Sequence, residues 1–118
     1  MTEVEYSNEF EIWWEALTEP EQESVAYSVG LLKAKGTALG YPHSSKIEGS
    51  KHAHMRELRV QPQGRPYRVF YAFDPLRKAM LLIAGDKTGD DRFYEKMIPV
   101  ADKLYDEHLF EIAGKDDS

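Results

Sequence analysis

Four arginines fall within nineteen residues in the middle of the chain, in the stretch MRELRVQPQGRPYRVFYAF (55–73). They alternate with β-branched and aromatic residues, which predicts two strands joined by the turn PQGR. Because side chains alternate between the two faces of a strand, Glu57 and Arg59 should be neighbours on one face of the first strand. Arg68, on the second strand, stands among apolar residues and should be largely buried.

A buried arginine needs a partner, because an unpaired guanidinium is costly to remove from water. A structural pair between Arg68 and Glu57 or Asp86 is the simpler interpretation. The alternative is chemical. Two or three cations on one sheet face can grip a phosphodiester and stabilise the charge that develops on it during cleavage. Lys87, where the chain leaves the third strand, would complete such a set with Arg59 and Arg68.

Histidines occur in the long segment that precedes this hairpin, at positions 43, 52 and 54. A His-x-His pair can ligate a metal, but no third ligand stands out in the sequence, so solvated side chains are the simpler interpretation. If the segment borders the arginine face, His54 becomes a candidate general acid or base, because imidazole titrates near neutral pH. Tyr67 and Tyr71 could stack on nucleic-acid bases, although core packing is the commoner role of such residues.

Charge is unevenly distributed along the 118 residues, which carry 15 Lys and Arg, 21 Asp and Glu, and a net charge of −6. From His43 to Arg92, ten basic residues accompany six acidic ones, whereas the remainder holds five basic and fifteen acidic residues. A basic middle between acidic ends predicts one anion-facing surface. Ordinary strand and helix propensities are the alternative explanation.

Composition limits the class of protein. The chain has no cysteine, which excludes disulfides and thiolate metal sites. The acidic N-terminal stretch does not look like a signal peptide, and no apolar run approaches the ~20 residues of a membrane span. We therefore expect one cytoplasmic domain over residues 1–113, followed by a disordered tail at 114–118.

Before the hairpin, the sequence predicts a short strand at 3–6 and two helices. The first helix should begin after Ser7 or Asn8, either of which is a good N-cap. The second should begin at Thr18, which forms a capping-box pattern with Glu21. The helices should pair as an antiparallel hairpin with acidic outer faces.

The segment 36–54 is rich in Gly, Ser and His, which predicts a loop long enough to be functional. A helix over 90–113 closes the chain, and Pro99 should kink it or divide it in two.

Between the loop at 36–54 and this last helix, three strands should form an antiparallel meander, with the nearly continuous apolar run YRVFYAF at its centre. The fold class is therefore α+β, with the helix pair packed on one sheet face. The three strands are expected at 55–61, 66–73 and 78–85.

Three stretches carry a family resemblance: GYPHSSKIEGSKHAHMRELR, GRPYRVFYAFDPLRKAMLLIAGDKTG and DRFYEKMIPVADKLYDEHL. Their order, and the motifs Glu-Leu-Arg, Arg-Val-Phe-Tyr-Ala-Phe-Asp-Pro and Gly-Asp-Lys-Thr-Gly, resemble the phage-derived HigB/RelE-type toxins of type II toxin–antitoxin modules. The resemblance covers nearly the whole chain. It implies the RelE-like fold of the RelE/ParE superfamily.

The resemblance implies an mRNA interferase that cuts codons on the translating ribosome without a metal or other cofactor. In such an endoribonuclease, the 2′-OH of the substrate attacks the adjacent phosphate and leaves a 2′,3′-cyclic phosphate and a free 5′-OH. It also implies a cognate helix-turn-helix antitoxin. The toxin would then contact DNA only indirectly, through this antitoxin. The alternative is a non-catalytic protein of the same fold, which inhibits another target or acts in antitoxin-bound transcriptional autoregulation.

The resemblance also implies roles for individual residues. By position, Arg68 matches the phosphate-stabilising arginine of the family, and Arg59 and Lys87 are the other cations carried over. Lys51 and His54 are the candidates for proton transfer, and Tyr94 competes with them. The side chains expected to hold RNA around the site are Lys51, Arg56, Arg65, Arg92 and Tyr94.

Overall fold

The computed structural model describes residues 1–116 of the chain. These residues form an α+β fold of five strands and three α-helices. In chain order the elements are β1 (Val4–Tyr6), α1 (Asn8–Glu15), α2 (Glu19–Lys35), β2 (Ser44–Lys46), β3 (Arg56–Val60), β4 (Tyr67–Phe73), β5 (Ala79–Asp86) and α3 (Phe93–Asp116).

The strands form one sheet in the order β1-β5-β4-β3-β2. β1 pairs with β5 in parallel, and all other neighbours pair antiparallel. The predicted first strand and the predicted three-stranded meander are therefore confirmed, as is the α+β class.

The segment 36–54, predicted as a loop, contains one strand. Ser44–Lys46 forms β2 and pairs antiparallel with β3, with Ser44 opposite Leu58. Three polar residues without apolar alternation carry no strand signal of their own. β2 forms because β3 offers an unpaired edge, which is a tertiary effect and not a local one.

Both faces of the sheet are buried. On one face, α1 and α2 pack against a cluster that includes Leu58, Val69 and Leu81. On the other face, α3 packs against Phe70 and Leu82. β4 contributes buried side chains to both clusters, so it is the central strand that its apolar run predicted.

The first two helices begin where their capping signals predict. Ser7 Oγ accepts a hydrogen bond from the Phe10 N–H at 3.0 Å, so Ser7, and not Asn8, caps α1. Thr18 and Glu21 exchange side-chain-to-backbone hydrogen bonds at the start of α2, which completes the capping box.

The last helix departs from its prediction at both ends and in its middle. It begins at Phe93 and continues through Pro99 as a single element, so of the two alternatives predicted at Pro99, a kink or a division, the division is wrong. Because Pro99 has no N–H, the carbonyl four residues earlier lacks its usual helical hydrogen bond. Pro99 is exposed, so water can hydrogen-bond to that carbonyl. The helix also includes residues 114–116 of the predicted tail 114–118, whose last two residues lie outside the described residues.

None of the helices described over residues 1–116 combines the length and the apolar character that a membrane span requires.

Candidate functional site

Three cations predicted from the sequence share one face of the sheet. Arg59 lies opposite Arg68 in the pairing of β3 with β4, and Arg68 lies opposite Gly85 of β5. Lys87 stands two residues beyond Gly85, so strand parity directs it to the same face. This is the face that α3 covers, because a Cβ at position 85 would lie 3.1 Å from the Phe93 ring.

Arg68 is the innermost of the three cations, with only 2% of its surface exposed. Its Nη1 donates to the Tyr67 carbonyl at 2.9 Å and to Gln61 Oε1 at 3.2 Å. Its Nε lies 3.5 Å from Glu57 Oε1 in an ion pair, and no atom of the described residues meets the geometry of a hydrogen bond to it. The structural Arg68–Glu57 pair considered from the sequence is therefore present.

Glu57 is the anion at the centre of the site and is itself buried. Its Oε2 accepts a hydrogen bond from Ser45 Oγ at 3.0 Å, and its Oε1 accepts one from Tyr94 Oη at 2.7 Å. One carboxylate thus contacts side chains from β2, from β4 and from α3. Burial and the hydrogen bond to Glu57 raise the pKa of Tyr94 to about 12, so this phenol is protonated at neutral pH.

Lys87 lies at the half-buried edge of the site. Its Nζ is 3.4 Å from Tyr94 Oη and 5.2 Å from the centroid of the Tyr94 ring. Partial burial, with the positive charges of Arg68 and Arg59, lowers the pKa of Lys87, and the negative charge of Glu57 opposes that shift. The positive charges of Arg59 and Arg68 therefore reach Lys87, as expected for three cations on one sheet face.

Arg59 occupies the other edge of this face. It is half-buried, and its guanidinium carbon lies 5.2 Å from the centroid of the exposed Tyr41 ring. Arg59 and Lys87 therefore offer partly exposed positive charge, with Arg68 buried behind them. We call this set the cationic site: Arg59, Arg68 and Lys87, with Glu57 and Tyr94. Two accessible cations above a buried third can bind an oxyanion and stabilise added negative charge on it.

The structure does not bring His54 or Lys51 to the cationic site. His54 Nε2 lies 3.2 Å from Tyr105 Oη, and Lys51 forms an ion pair with Asp106; both partners belong to α3. His54 precedes β3, whereas Arg59 stands near its end, so five residues of extended chain, roughly 16 Å, separate them. The sequence prediction assumed that the loop bordered the arginines, but β3 carries the chain away from it.

The other expected RNA contacts are also dispersed. Arg56 points to the opposite sheet face by parity and donates from Nε to Ser44 Oγ at 3.0 Å. Arg65 is bound to Glu21 on the side of α2, and Arg92 is exposed, 3.5 Å from Glu95. Tyr67 and Tyr71 are buried, which removes them as stacking surfaces. Of the expected RNA contacts, the structure places Tyr94 in the cationic site.

The chain is similar to a known protein family. A family model described as phage-derived protein Gp49-like matches residues 12–106. The chain belongs to this Gp49-like family. It is 42% identical over 94 residues to "Putative toxin HigB3" of Mycobacterium tuberculosis, a match that covers 79% of this chain and 81% of the relative. It is 39% identical over 99 residues to "Putative toxin HigB2" of the same organism. That match covers 82% of this chain and 49% of the relative, so the chain spans about half the length of HigB2.

Among solved structures, a mutant of the Escherichia coli toxin RelE in the free state has a similar fold. Its TM-score is 0.57 at 10% sequence identity, and the match covers 80% of this chain and 92% of the RelE chain. The identity is low, so the likeness establishes the fold alone. The Gp49-like chain therefore has the RelE-like fold that the sequence resemblance implied.

Some contributors to the site in this Gp49-like protein were not predicted. Gln61 and Ser45, which hydrogen-bond to Arg68 and Glu57, lie in segments expected to be a strand end and a loop. Glu57 was expected only as a salt-bridge partner, and its contact with Tyr94 depends on where α3 crosses the sheet. The one available signal was strand parity, which placed Glu57 and Arg59 on one face.

Proposed function

We propose that this protein is the toxin of a type II toxin–antitoxin module and that it cleaves mRNA, on the ribosome and in the cytoplasm, without a metal. Its similarity to proteins named as HigB toxins and its RelE-like fold support the toxin assignment. The observation that carries the nuclease assignment is the convergence of Arg59, Arg68 and Lys87 on one sheet face. The partner that restrains the toxin would be a cognate helix-turn-helix antitoxin.

In this proposal the substrate supplies its own nucleophile. The 2′-oxygen attacks the adjacent phosphorus, and the resulting phosphorane carries more negative charge than the phosphodiester. Lys87 and Arg59, both partly exposed, contact the non-bridging oxygens. Arg68 lies behind them in a water-poor environment, where its charge acts over a longer distance than it would in solvent. The cyclic phosphate and the free 5′-OH are the products.

Tyr94 replaces His54 as the proposed proton donor, because it lies among the cations. With a pKa of about 12, it is protonated at neutral pH and can give its proton to the departing 5′-oxygen. The proton of the attacking 2′-OH passes to solvent. The phenolate left on Tyr94 is stabilised by the Lys87 ammonium 3.4 Å away until solvent returns the proton.

A non-catalytic protein of this fold remains the second candidate, and one observation favours it. Arg68 is almost fully buried and already paired with Glu57, as a structural arginine would be. In that case the fold would serve to bind another target, or to form an antitoxin complex that represses its own transcription.

The two functions are separated by expressing the protein without an antitoxin and mapping cleaved mRNA by primer extension. We expect growth arrest and new RNA ends with wild type, and loss of both with Lys87→Ala or Arg59→Ala. Lys103→Ala, an exposed lysine on α3, is the matched control and should behave as wild type. Arrest without cleaved mRNA would support the binding protein, and absence of arrest would contradict the toxin assignment.

A further inference from the structure

An open groove lies beside the cationic site, between α2 and the end of β3. Its volume is about 600 Å³, within the range of small-molecule sites. α2 contributes Glu23 and Tyr27 to its wall, and the opposite wall includes His43, Arg59 and Gln61. The nuclease proposal uses Arg59 and gives the rest of this groove no role.

The groove exists because β2 is too short to cover the whole edge of β3. The pairing of β2 with β3 begins at Ser44, opposite Leu58. Beyond that point, a single hydrogen bond from the Arg59 N–H to the His43 carbonyl, 2.9 Å long, joins the two segments. β2 therefore leaves the edge of β3 uncovered beyond Arg59.

Two residues of the groove connect it to the cationic site. Arg59 lines the groove and stands opposite Arg68 in the sheet. Gln61 also lines the groove, and its Oε1 accepts a hydrogen bond from Arg68 Nη1 at 3.2 Å. A polymer whose phosphate rests on the cationic site can therefore continue directly into the groove.

The groove presents aromatic surface to solvent. The Tyr27 side chain in its wall is 68% exposed, and Tyr41, against which Arg59 packs, is 77% exposed. Exposed aromatic rings beside an arginine are the surfaces on which proteins stack the bases of single-stranded RNA.

We propose that this groove binds the base of a nucleotide next to the scissile phosphate of single-stranded RNA, stacked on Tyr27. This inference rests on the proposed nuclease function and names the substrate contact that flanks it. Tyr41 acts as a positioning residue, because its ring holds the Arg59 guanidinium at the junction of groove and cationic site.

The charges in the groove fix the direction of the nucleotide. Glu23 on the α2 wall repels phosphate, whereas Arg59 on the opposite wall attracts it. The sugar and phosphate therefore follow Arg59, and the uncharged base faces α2. The Glu23 carboxylate accepts hydrogen bonds from base amino groups, so adenine, cytosine and guanine are favoured over uracil, which has none.

The test measures binding of short 2′-O-methyl RNA, which cannot be cleaved, to the full chain by fluorescence anisotropy. Tyr27→Ala should raise the Kd roughly 5- to 100-fold. Tyr6→Ala is the matched control, because Tyr6 is also exposed but lies on β1, at the opposite edge of the sheet, and it should bind as wild type. Placing an abasic nucleotide beside the bound phosphate should abolish the difference between wild type and Tyr27→Ala.

Each outcome decides between the proposals. If Lys87→Ala loses binding and Tyr27→Ala does not, the nuclease proposal survives and the groove proposal is overturned. If wild type binds no RNA and yields no cleaved mRNA, the nuclease proposal fails and the groove proposal falls with it. If Tyr27→Ala keeps RNA affinity but weakens a complex with the antitoxin, the groove is a protein interface, which also overturns the inference.

Discussion

Tyr94 donates its hydroxyl hydrogen to the buried carboxylate of Glu57 across 2.7 Å. The same carboxylate oxygen lies 3.5 Å from Arg68 Nε, and the other oxygen accepts from Ser45 Oγ. A glutamate at the centre of three cations reduces their attraction for phosphate, so its presence needs a reason. It gives the buried Arg68 a counter-charge and fixes the phenol of Tyr94 beside Lys87.

Replacing Glu57 by Gln should therefore destabilise the protein while changing its volume very little. The substitution leaves Arg68 buried without a counter-charge, which should lower the free energy of unfolding by about 3 kcal/mol in urea titrations. The pKa of Tyr94, raised to about 12 partly by Glu57, should fall towards its ordinary value of 10.0 in an ultraviolet pH titration. The same titration of Tyr94→Phe, which lacks this phenol, assigns the changed pKa to Tyr94.

Glu95→Gln is the control for this experiment. Glu95 is exposed, and its ion-pair partner among the described residues is the exposed Arg92, so its loss should change stability by less than about 1 kcal/mol. Equal stability of Glu57→Gln and wild type would show that Arg68 does not depend on the Glu57 charge.

Tyr94→Phe tests the proposed proton donor. The variant keeps the ring and loses the hydroxyl, so RNA binding should be retained while the rate of cleavage falls about 10²- to 10⁴-fold. Single-turnover cleavage at saturating protein separates the two quantities. Tyr6→Phe, which removes an exposed hydroxyl at the opposite sheet edge, should cleave normally. If His54→Ala loses cleavage while Tyr94→Phe stays active, the proton donor is His54 and not Tyr94.

Local sequence patterns predicted the strands, the helix caps and the strand faces, because these features depend mainly on residues that are close together in the chain. Strand-forming residues between turn signals located β3, β4 and β5, and hydroxyl and carboxylate spacing located the capping box of Thr18 and Glu21. Strand parity placed Glu57 and Arg59 together because it follows from backbone geometry alone. The register that places Arg59 opposite Arg68 is set by the connection 61–66, which contains a 3₁₀ turn at Pro62–Gly64.

The remaining features depend on contacts between distant segments, which no single stretch encodes. β2 forms on an edge that exists only once β3 is in the sheet. Arg65 was expected to hold RNA, but the N-terminal turn of α2 places Glu21 against it. The position of His54 depends on α3, whose Tyr105 lies beside it at the far end of the sheet.

Glu21 should make the stability of the protein sensitive to acid. Its pKa is lowered from 4.5 to about 2, chiefly by the hydrogen bond from the Tyr67 hydroxyl, then by those from Thr18. A carboxylate whose pKa is lower in the folded state stabilises the fold above its unfolded pKa. This contribution should be lost as the pH falls from about 4.5 to about 2.

Thermal unfolding of wild type and Glu21→Gln across this range provides the measurement. The two midpoints should differ most at neutral pH and converge as the pH approaches 2. Glu23→Gln, at an exposed neighbouring position of α2, is the control, and its difference from wild type should vary less with pH. A constant difference between wild type and Glu21→Gln would contradict the assignment.

Gly85→Ala tests whether close contact between α3 and the sheet keeps the cationic site in place. A Cβ at this position would lie 3.1 Å from Phe93 Cε1 and 3.5 Å from Met97 Cε, so the Phe93 ring at the start of α3 must shift. We expect a loss of about 1–3 kcal/mol in unfolding free energy, which is typical of overpacking a core. Because Tyr94 follows Phe93 on that helix, cleavage should fall more than RNA binding does.

Gly30→Ala is the matched control, with the opposite expected sign. Gly30 lies within α2, and apart from the backbone of its own helix an added Cβ would meet no atom of the described residues within 4 Å. Alanine in a helix interior should therefore raise the unfolding free energy by about 0.5–1 kcal/mol and leave cleavage unchanged. If Gly85→Ala were equally stabilising, α3 would not be in close contact with β5, and the geometry that joins Tyr94 to Glu57 would have to be held by other contacts.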